Sequence, residues 1–511
     1  MKRPARRTRG ETPAPKRRVI HFYPNDPDAT VGLLEVDPPT SLPGDPPYVI
    51  EGRRYAPAPY APGTVAFQQW QGEVSLARTI RVWEEFCDRD FSAWHGGSPL
   101  RVRLRAGRDL NAFYDRKSLQ FFYDTDKVTG RAVYAAESLD IVAHEAGHAV
   151  LDVYQPGYWS TPDPETAAFH EAFADCSSLL VTLGEPAVRH AFLEEAGRSL
   201  RSSNLVSRLA EALGRAIHNN FGPGSVADPT RLRDANNRFR YSDPGRLPSS
   251  GRDEGLTSEP HSFSRVFTGS FYHLVIEFLA AGLKEGKGPE MVEVARRRAG
   301  RLLGKAVESA PPGEARVAAY AERMAEIDRA DSGGTGGEAL RRAFARHGIG
   351  LPRRGAGPAG ARGRYAALRA LDPDMPGGVA ALRAALGIPA GARLERRDWP
   401  ARVGGGVREQ LVHRHSVLAR HPRLDRGRAV IVEIACGCTL TRGPRGDVEG
   451  MALAPRRDPT AREVSGWLRP WLRRGAVAWG PEAALSTRSL FRAGKVFRVS
   501  AGRKLERVYA D

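Results

Sequence analysis

The sequence predicts an α+β fold followed by a second, smaller domain, and three observations support this prediction. Apolar and basic residues alternate from Leu100 to Arg105, as in a strand with one solvent-exposed face. From Glu137 onward, apolar residues recur every three or four positions, as in amphipathic helices. Short apolar runs such as RAVIVEIA and KVFRVS return after about residue 395. We therefore expect the last hundred or so residues to form a mixed or mainly β domain.

The composition is that of a chain that folds over most of its length. Of the 511 residues, 41% are hydrophobic and 27% are charged, which is enough for two or three buried cores. The most apolar stretch, Phe271 to Leu283, is too short for a membrane span and contains His273 and Glu277, so we expect no membrane association. Four cysteines are too few for a disulfide framework. No apolar segment follows the basic N-terminus, so we expect no secretory signal and a cytoplasmic location.

The positive charge is concentrated at the two ends of the chain. The net charge is +18, of which residues 1–18 carry +7 and residues 351–511 carry +17, so the part between them carries −6. An anionic partner such as nucleic acid would meet these ends. No nucleic-acid reader motif accompanies the charge, and the basic residues are mostly Arg, as in other Ala-rich and Gly-rich sequences. Nucleic-acid binding is therefore an alternative interpretation, and no sequence feature indicates the oligomeric state.

Changes in composition divide the chain into regions. The helical pattern ends at Gly348 and Gly350, which are typical of a helix stop, so we expect the part before them to be separable. The predicted regions are a basic, Pro-rich and largely irregular tail (1–60), the α+β domain (61–350), a Gly/Pro/Arg-rich linker (351–395) and a small basic domain of mixed or mainly β character (396–511).

The segment LDIVAHEAGHAVLD (139–152) predicts a metal-binding helix. His144 and His148 are four residues apart, so both project from one face of an amphipathic helix, as two imidazoles must to bind one Zn²⁺. Glu145 lies one position round the helix, where a carboxylate can take a proton from a water at the metal. The pattern alone is a modest signal, so a third ligand is needed.

A second helical segment, FHEAFADCSSLLVTL, supplies the third ligand. Glu171 and Asp175 are one turn apart and lie off an otherwise apolar stripe. Two acids in a buried helix are costly unless a cation meets them. We therefore expect Glu171 to bind the zinc and Asp175 to accept a hydrogen bond from the far nitrogen of a ligand histidine.

Together these segments resemble the thermolysin-like gluzincin metallopeptidases, and the resemblance spans residues 65–350. DIVAHEAGHAV resembles the zinc helix of that family, including Asp140 four residues before the first histidine, and HEAFAD resembles its Glu-xxx-Asp helix. LNAFYD resembles the edge strand that binds substrate, with Asn111 and Ala112 at the substrate positions. SEPHSFSRVFTGSFYHLV resembles the segment that carries the catalytic histidine, here His261.

The resemblance implies a zinc-dependent endopeptidase with one zinc per chain, acting on peptides or proteins. It also implies a small N-terminal sheet with the zinc-binding helix and a mainly helical C-terminal lobe. The substrate-clamping arginine would be Arg238 or Arg240, and the tyrosine that assists His261 would be Tyr158 or, less well placed, Tyr154. Beyond Asp140 the calcium-binding acids of the family find no match, so there is no basis for predicting calcium.

Alternative uses of these residues stay open at this stage. Asp152 follows His148 by four residues, as in aspartate-ligand zincins, although on one continuous helix it reaches the metal only with difficulty. His170 precedes Glu171 and is expected to be a neighbour of the site. No third histidine stands at the metzincin spacing, and the Gly-x-Met-Glu-Asn loop of related aminopeptidases is absent from the sequence.

The segments HRH and CGC form a weaker candidate metal cluster, made of His413, His415, Cys436 and Cys438. If both segments lie on strands, these four side chains could form a Cys₂His₂ metal site, although the spacing fits no zinc module.

A rival function is a catalytically degenerate binding or scaffold protein whose basic ends contact nucleic acid.

Overall fold

The computed structural model describes most of the chain. The described residues are 18–39, 47–351, 370–400, 406–453 and 459–508, with internal gaps at 88, 92, 197–199, 201, 223–224, 226, 253, 287, 487–488, 491–492 and 494. Residues 1–17 and 40–46 of the N-terminal tail and residues 352–369 of the Gly/Pro/Arg-rich linker lie outside these ranges, so what the sequence predicts for them stays a prediction.

The first part of the structure is a small sheet with one long helix. Four strands form a sheet in the order β3, β4, β6, β5, in which β3, β4 and β6 are parallel and β5 is an antiparallel edge strand. The alternation at Leu100 is confirmed, because Leu100 and Val102 are buried whereas Arg101 is exposed. The elements in chain order are β1 (Ile20–Phe22), β2 (Leu34–Val36), β3 (Tyr48–Ile50), α1 (Val65–Phe86), β4 (Leu100–Arg103), β5 (Ala112–Tyr114), β6 (Ser118–Phe121), β7 (Tyr123–Thr125) and β8 (Ala132–Tyr134).

The described part of residues 1–60 contains three short strands within backbone that is otherwise without regular structure. Strands β1 and β2 pair antiparallel, and Ile20 and Phe22 are fully buried against the helices. Strand β3 pairs with β4, about fifty residues later in the chain. Three-residue strands carry little local signal, because partners far away in the sequence stabilise them.

The middle of the chain is mainly helical. The longest helix, α7, packs against α4, α8 and α10. It is long and apolar enough to cross a membrane by length and composition, but 78% of its most apolar window is buried inside the protein, so it serves as a core helix. The elements are α2 (Leu139–Tyr154), α3 (Pro156–Ser160), α4 (Pro164–Thr182), α5 (Pro186–Ala196), β9 (Arg208–Leu209), α6 (Glu211–Phe221), β10 (Arg233–Asp234), α7 (Pro260–Lys284), α8 (Met291–Ser309), α9 (Val317–Ser332) and α10 (Gly337–Arg346).

The C-terminal region, residues 370–508, is mixed with a majority of strands. An antiparallel meander in the order β11, β12, β13, β14 packs against one helix and a second, three-stranded sheet. This mixture agrees with the α+β prediction. The elements are α11 (Gly378–Leu386), β11 (Glu395–Pro400), β12 (Val407–Ala419), β13 (Val430–Arg442), β14 (Val448–Leu453), α12 (Ala461–Arg473), β15 (Val477–Ala478), β16 (Phe497–Val499) and β17 (Leu505–Arg507).

The C-terminal region is docked on the helical part through buried polar contacts. Gln410 donates from Nε2 to the carbonyl of Tyr154 at 3.1 Å, and Thr439 donates from Oγ1 to the carbonyl of Ala310 at 2.6 Å. Gly313 has a φ of +118°, and a Cβ there would lie 2.3 Å from the carbonyl oxygen of Ala435 on β13. Glycine is therefore required at this close approach, and the two parts fit each other in detail.

Candidate metal centre

Helices α2 and α4 carry the predicted ligands, and a glycine sets the distance between them. Gly147 is the fourth residue of the HEAGH motif, and a Cβ added there would lie 2.8 Å from Cβ of Ser177 on α4. A side chain at this position would push the helices apart. The glycine of the motif therefore brings the ligand-bearing faces of the two helices together.

Both histidines of α2 turn toward Glu171 on α4. Nε2 of His144 lies 3.4 Å from Oε2 of Glu171, and Nε2 of His148 lies 3.6 Å from the same oxygen. The ligand atoms of all three residues lie within 4.8 Å of one another. Among the described residues, no other group of three His, Cys, Asp or Glu side chains comes this close.

The state of the Glu171 carboxylate indicates that a cation belongs there. Oε2 of Glu171 is buried and has no hydrogen-bond partner in the described structure, although Nε2 of His261 also lies 3.3 Å away. Burial raises the pKa of this carboxyl, but His261 and His148 outweigh burial and hold the pKa well below its usual range. A buried anionic oxygen among three imidazoles, without a hydrogen bond, fits a divalent metal ion.

Asp175 orients the first histidine. Nδ1 of His144 lies 3.1 Å from Oδ1 of Asp175, which also accepts a hydrogen bond from Nη2 of Arg233 at 2.8 Å. The other oxygen accepts a hydrogen bond from Oγ1 of Thr268. Burial would raise the pKa of Asp175, but Arg233 and His144 lower it to about 2. The carboxylate therefore fixes Nδ1 of His144 as the donor and leaves Nε2 for a metal.

His170 orients the second histidine. Its Nδ1 lies 2.7 Å from Nδ1 of His148. Burial, followed by the neighbouring His148, lowers the pKa of His170 well below its usual range, so its ring is neutral and can accept a hydrogen bond. His148 then donates from Nδ1 and keeps Nε2 for a metal. The expectation that His170 is a neighbour of the ligands agrees with this contact.

Glu145 and the edge strand β5 border the same cavity. This cavity, of about 270 Å³, is lined by Asn111, Ala112, Glu145 and His261 together with the three ligands. Within the four-stranded sheet β5 is an edge strand that pairs with β6, and its residues Ala112, Phe113 and Tyr114 line the cavity. The structure thus places Asn111 and Ala112 beside Glu145, where an extended peptide could add to the edge of the sheet.

His261 lies at the start of α7 and is held by a residue that the sequence reasoning missed. Its Nδ1 lies 2.8 Å from Oε1 of Glu259. Burial lowers the pKa of His261, but Glu171 and Glu259 outweigh burial and raise the pKa to about 9. The signal for Glu259 was available, because it stands two residues before His261 in SEPHSF.

The arginine at the centre is Arg233, which the sequence reasoning also missed. Arg233 contacts Asp175 and lines a cavity with His144, Glu145 and His261. The structure does not bring the predicted arginines there: Arg240 donates to the carbonyl of Arg346, and Arg238 lines a different cavity. The prediction of Arg238 or Arg240 relied on their distance from the segment SDP (242–244) in the sequence. Arg233 follows a loop whose length the sequence pattern does not determine.

The structure does not bring the predicted tyrosines to the metal cluster either. The hydroxyl of Tyr158 lies 3.0 Å from the hydroxyl of Tyr320 and donates to the carbonyl of Pro311. The side chain of Tyr158 is fully buried among helices, as is that of Tyr154. Neither hydroxyl lies in the cavities at His261, so the expectation that Tyr158 assists His261 is not supported.

Asp140 secures the start of α2. Its Oδ2 accepts a hydrogen bond from the backbone N–H of Ala210 at 2.7 Å, and its Oδ1 accepts one from Ser138. Burial raises the pKa of Asp140, and these hydrogen bonds oppose that increase. This residue therefore ties the segment before α6 to the metal helix, which is an indirect role in positioning His144.

Asp152 is engaged elsewhere and is not a ligand in this arrangement. Its Oδ1 accepts a hydrogen bond from Nη2 of Arg116 at 2.6 Å, and its Oδ2 accepts one from the hydroxyl of Tyr114 at 3.0 Å. Burial raises the pKa of Asp152 to about 6 against the effect of Arg116. Since Tyr114 lies on β5, Asp152 links the edge strand to α2.

The alternative Cys₂His₂ site is not formed. Strands β12 and β13 pair His413 with Cys436, but Cys438 lies opposite Leu411 and His415 lies opposite Ile434. Both cysteines are buried, and Cys438 belongs to an apolar cluster. These four residues do not bring their ligand atoms as close together as the cluster at Glu171 does.

The C-terminal region supplies one wall of the cleft. Lys495 and Arg507 line the cavity of about 270 Å³ that also contains Glu145 and Glu171. Arg507 donates from Nη1 to the carbonyl of Trp159 at 2.8 Å, and its guanidinium stacks 4.5 Å from the centre of that ring. Residues 495 and 507 of the C-terminal region thus border the same cavity as the candidate metal ligands.

Comparisons with known proteins add little to this geometry. No protein-family model matches the chain, and no curated protein matches its sequence. Among solved structures, the chain is similar to the precursor of protealysin, a metalloproteinase from Serratia proteamaculans, with 17% sequence identity and a TM-score of 0.37. The match covers 67% of this chain and 90% of that one. At this similarity the functional interpretation depends on the site itself.

Proposed function

We propose that this protein is a zinc-dependent metalloendopeptidase. The observation that carries the proposal is the buried Oε2 of Glu171, which lacks a hydrogen bond and faces the Nε2 atoms of His144 and His148. Two imidazoles and one carboxylate are a donor set typical of catalytic zinc, with the fourth position left for water or substrate. We expect one zinc per chain, and no described feature points to calcium.

Zinc would supply Lewis-acid polarisation of the scissile carbonyl and a lower pKa for water. Side chains of the protein carry out proton transfer and stabilise the developing negative charge. Glu145 borders the cavity one position from His144 and accepts the proton of the attacking water, which it later passes to the leaving amine. His261, held at Nδ1 by Glu259, donates to the carbonyl oxygen as negative charge develops there, a contribution of about 3–4 kcal/mol in comparable sites.

The substrate backbone binds along β5. Asn111 and Ala112 stand at the free edge of the sheet beside Glu145. An extended peptide that pairs with this edge places one of its carbonyls near the metal ligands. Arg233, which lines the neighbouring cavity and is fixed by Asp175, is the arginine best placed to bind a substrate carbonyl, in place of Arg238 or Arg240.

The test is metal analysis together with digestion of a peptide library by the full-length protein. The proposal predicts about one zinc per chain, cleavage within peptides whose two termini are blocked, and loss of cleavage after chelation with recovery on adding zinc. Blocked peptides distinguish an endopeptidase from an enzyme that needs a free terminus. A protein without zinc that retains DNA in a salt-dependent way would instead support the rival scaffold function.

A further inference from the structure

A second cavity, of about 410 Å³, opens beside His261 between the peptidase part and the C-terminal region. Its walls include Arg233, Glu259 and His261 on one side, and Arg474 directly after α12 on the other. Because Arg233 and His261 also line the cavity that contains Glu145, the two cavities adjoin. A group bound here would lie close to the reacting centre.

Arg474 is the unusual residue in this cavity. Its Nη1 and Nη2 atoms are buried and have no hydrogen-bond partner among the described residues. The guanidinium stacks 4.5 Å from the ring centre of Trp471. Burial lowers the pKa of Arg474, and only the charge of Glu259 opposes this effect. A guanidinium whose donors are desolvated and unused costs stability until an anion pairs with it.

Glu259 accepts no hydrogen bond from Nη1 or Nη2 of Arg474. One oxygen of Glu259 lies 2.8 Å from Nδ1 of His261, and the other accepts the backbone N–H of Ser262 at 2.9 Å. The remaining charged lining residues, Arg252 and Arg265, are also cationic. Among the described lining residues, four arginines face the single carboxylate of Glu259, so this lining has an excess of positive charge.

We propose that this cavity is a substrate subsite in which Arg474 binds a carboxylate of the peptide. The inference rests on the proposed peptidase function and extends it to specificity. Guanidinium and carboxylate form two parallel, charge-assisted hydrogen bonds, which a neutral amide cannot replace. The carboxylate belongs either to an Asp or Glu side chain near the scissile bond or to the free C-terminus of a short peptide.

The position of Arg474 is fixed by how α12 is docked. Trp471 is buried, and its Nε1 donates to the carbonyl of Pro162 at 2.7 Å, between α3 and α4. Helix α12 also carries a capping box at Thr460 and Glu463, which stabilises its start. The C-terminal region therefore holds the side chain of Arg474 in a fixed position in the wall of this cavity.

The experiment compares matched peptides on the full-length, zinc-loaded protein. One set exchanges Glu for Gln at each position near the scissile bond in amidated peptides, and a second set exchanges a free C-terminus for an amide. We expect kcat/KM to favour the carboxylate peptide by about tenfold or more in one set, and Arg474→Gln to reduce this ratio to below about twofold. Which set responds identifies the source of the carboxylate.

Controls separate charge recognition from damage to the fold. Arg473→Gln removes an exposed charge from the adjacent position and should keep the full ratio. Arg474→Lys retains the charge without the two-pronged geometry and should give an intermediate ratio. Zinc content and thermal unfolding of each variant report whether the fold is intact. If Arg474→Gln does not fold, the Lys variant still tests the proposal.

A binding measurement distinguishes failure of this inference from failure of the proposed function. Fluorescence anisotropy with the same peptides on the Glu145→Gln protein reports affinity without hydrolysis. If no peptide is cleaved by the wild type but carboxylate peptides bind about tenfold more tightly than amides, the peptidase proposal fails and the carboxylate site stands. If peptides are cleaved but neither ratio exceeds about twofold, or Arg474→Gln leaves both ratios unchanged, the carboxylate site is wrong.

Discussion

Nε1 of Trp471 donates a hydrogen bond of 2.7 Å to the carbonyl of Pro162, so the C-terminal helix α12 is tied to the segment that precedes the ligand helix α4. Trp471 is almost fully buried and packs against Phe497. Ala167 of α4 belongs to the same apolar cluster as Trp471. The metal-binding part and the C-terminal region therefore share a core.

This shared core changes what truncation should do. The sequence predicts a separable domain over residues 61–350, but we expect a chain cut at 351 to lose solubility or unfold at a lower temperature, because the cut exposes the partners of Trp471. Starting at residue 61 would also remove strand β3 from its sheet. In the full chain, Trp471→Ala should destabilise by about 3–5 kcal/mol. A soluble truncated protein with an unchanged melting temperature would contradict this expectation.

The ligand assignment predicts a contrast between two buried acids. Glu171→Ala should lose most of the zinc, because two histidines on one helix cannot hold Zn²⁺ tightly. Asp152→Ala should keep zinc, since Asp152 contacts Tyr114 and Arg116, although the protein becomes less stable. Metal analysis by mass spectrometry after dialysis measures both. Zinc loss in the Asp152 variant together with full zinc in the Glu171 variant would reverse the assignment.

Replacing Glu145, the proposed general base, should abolish hydrolysis without removing the metal. Glu145→Gln keeps the size of the side chain but cannot accept a proton from water. We expect full zinc content and a fall in kcat of about 10²–10⁴-fold or more. Activity within tenfold of the wild type, at equal zinc content, would rule out Glu145 as the base.

Zinc affinity should depend on pH in a defined direction. In the zinc-free protein, burial opposes protonation of His144, but Asp175 and Glu171 outweigh it and raise the pKa to about 10. A proton on Nε2 competes with the metal, so the apparent affinity rises by up to about tenfold per pH unit until about pH 10. Calorimetry near pH 7 in buffers of different ionisation enthalpy should detect a released proton. Proton-free binding would show that His144 is already neutral.

The close contact at Gly147 predicts loss of zinc from a residue that is not a ligand. Gly147→Ala places a Cβ 2.8 Å from Cβ of Ser177, and the resulting separation of α2 and α4 should cost about 1–3 kcal/mol and weaken zinc binding. Gly466→Ala is the matched control, because a Cβ on this residue of α12 meets nothing within 4 Å. That control should be neutral or stabilise by up to about 1 kcal/mol. Equal effects at both positions would contradict the packing argument.

Local patterns predicted the parts of the site that depend on helical spacing. The four-residue steps of His144 to His148 and of Glu171 to Asp175 place side chains on one face wherever the helix lies, so both pairs appear as expected. Arg233 and the β3 strand depend on contacts across long loops or between distant segments, which a local pattern does not contain. Tyr158 was misplaced for the same reason: it lies on the short helix α3, which packs against α2, α4 and β13, and its hydroxyl contacts that of Tyr320.

Arg474 is synthesised later than all the residues proposed to take part in hydrolysis. The metal ligands, Glu145 and His261 are all made in the first half of the chain or just beyond it, whereas Arg474 follows His261 by 213 residues. At about 5–20 residues per second, a ribosome needs about 11–43 s to cover that interval. During this time the growing chain holds every group proposed for hydrolysis but lacks the arginine proposed to select its substrates. The proposed selection of substrates by their carboxylate can therefore begin only after Arg474 has been synthesised and α12 has docked.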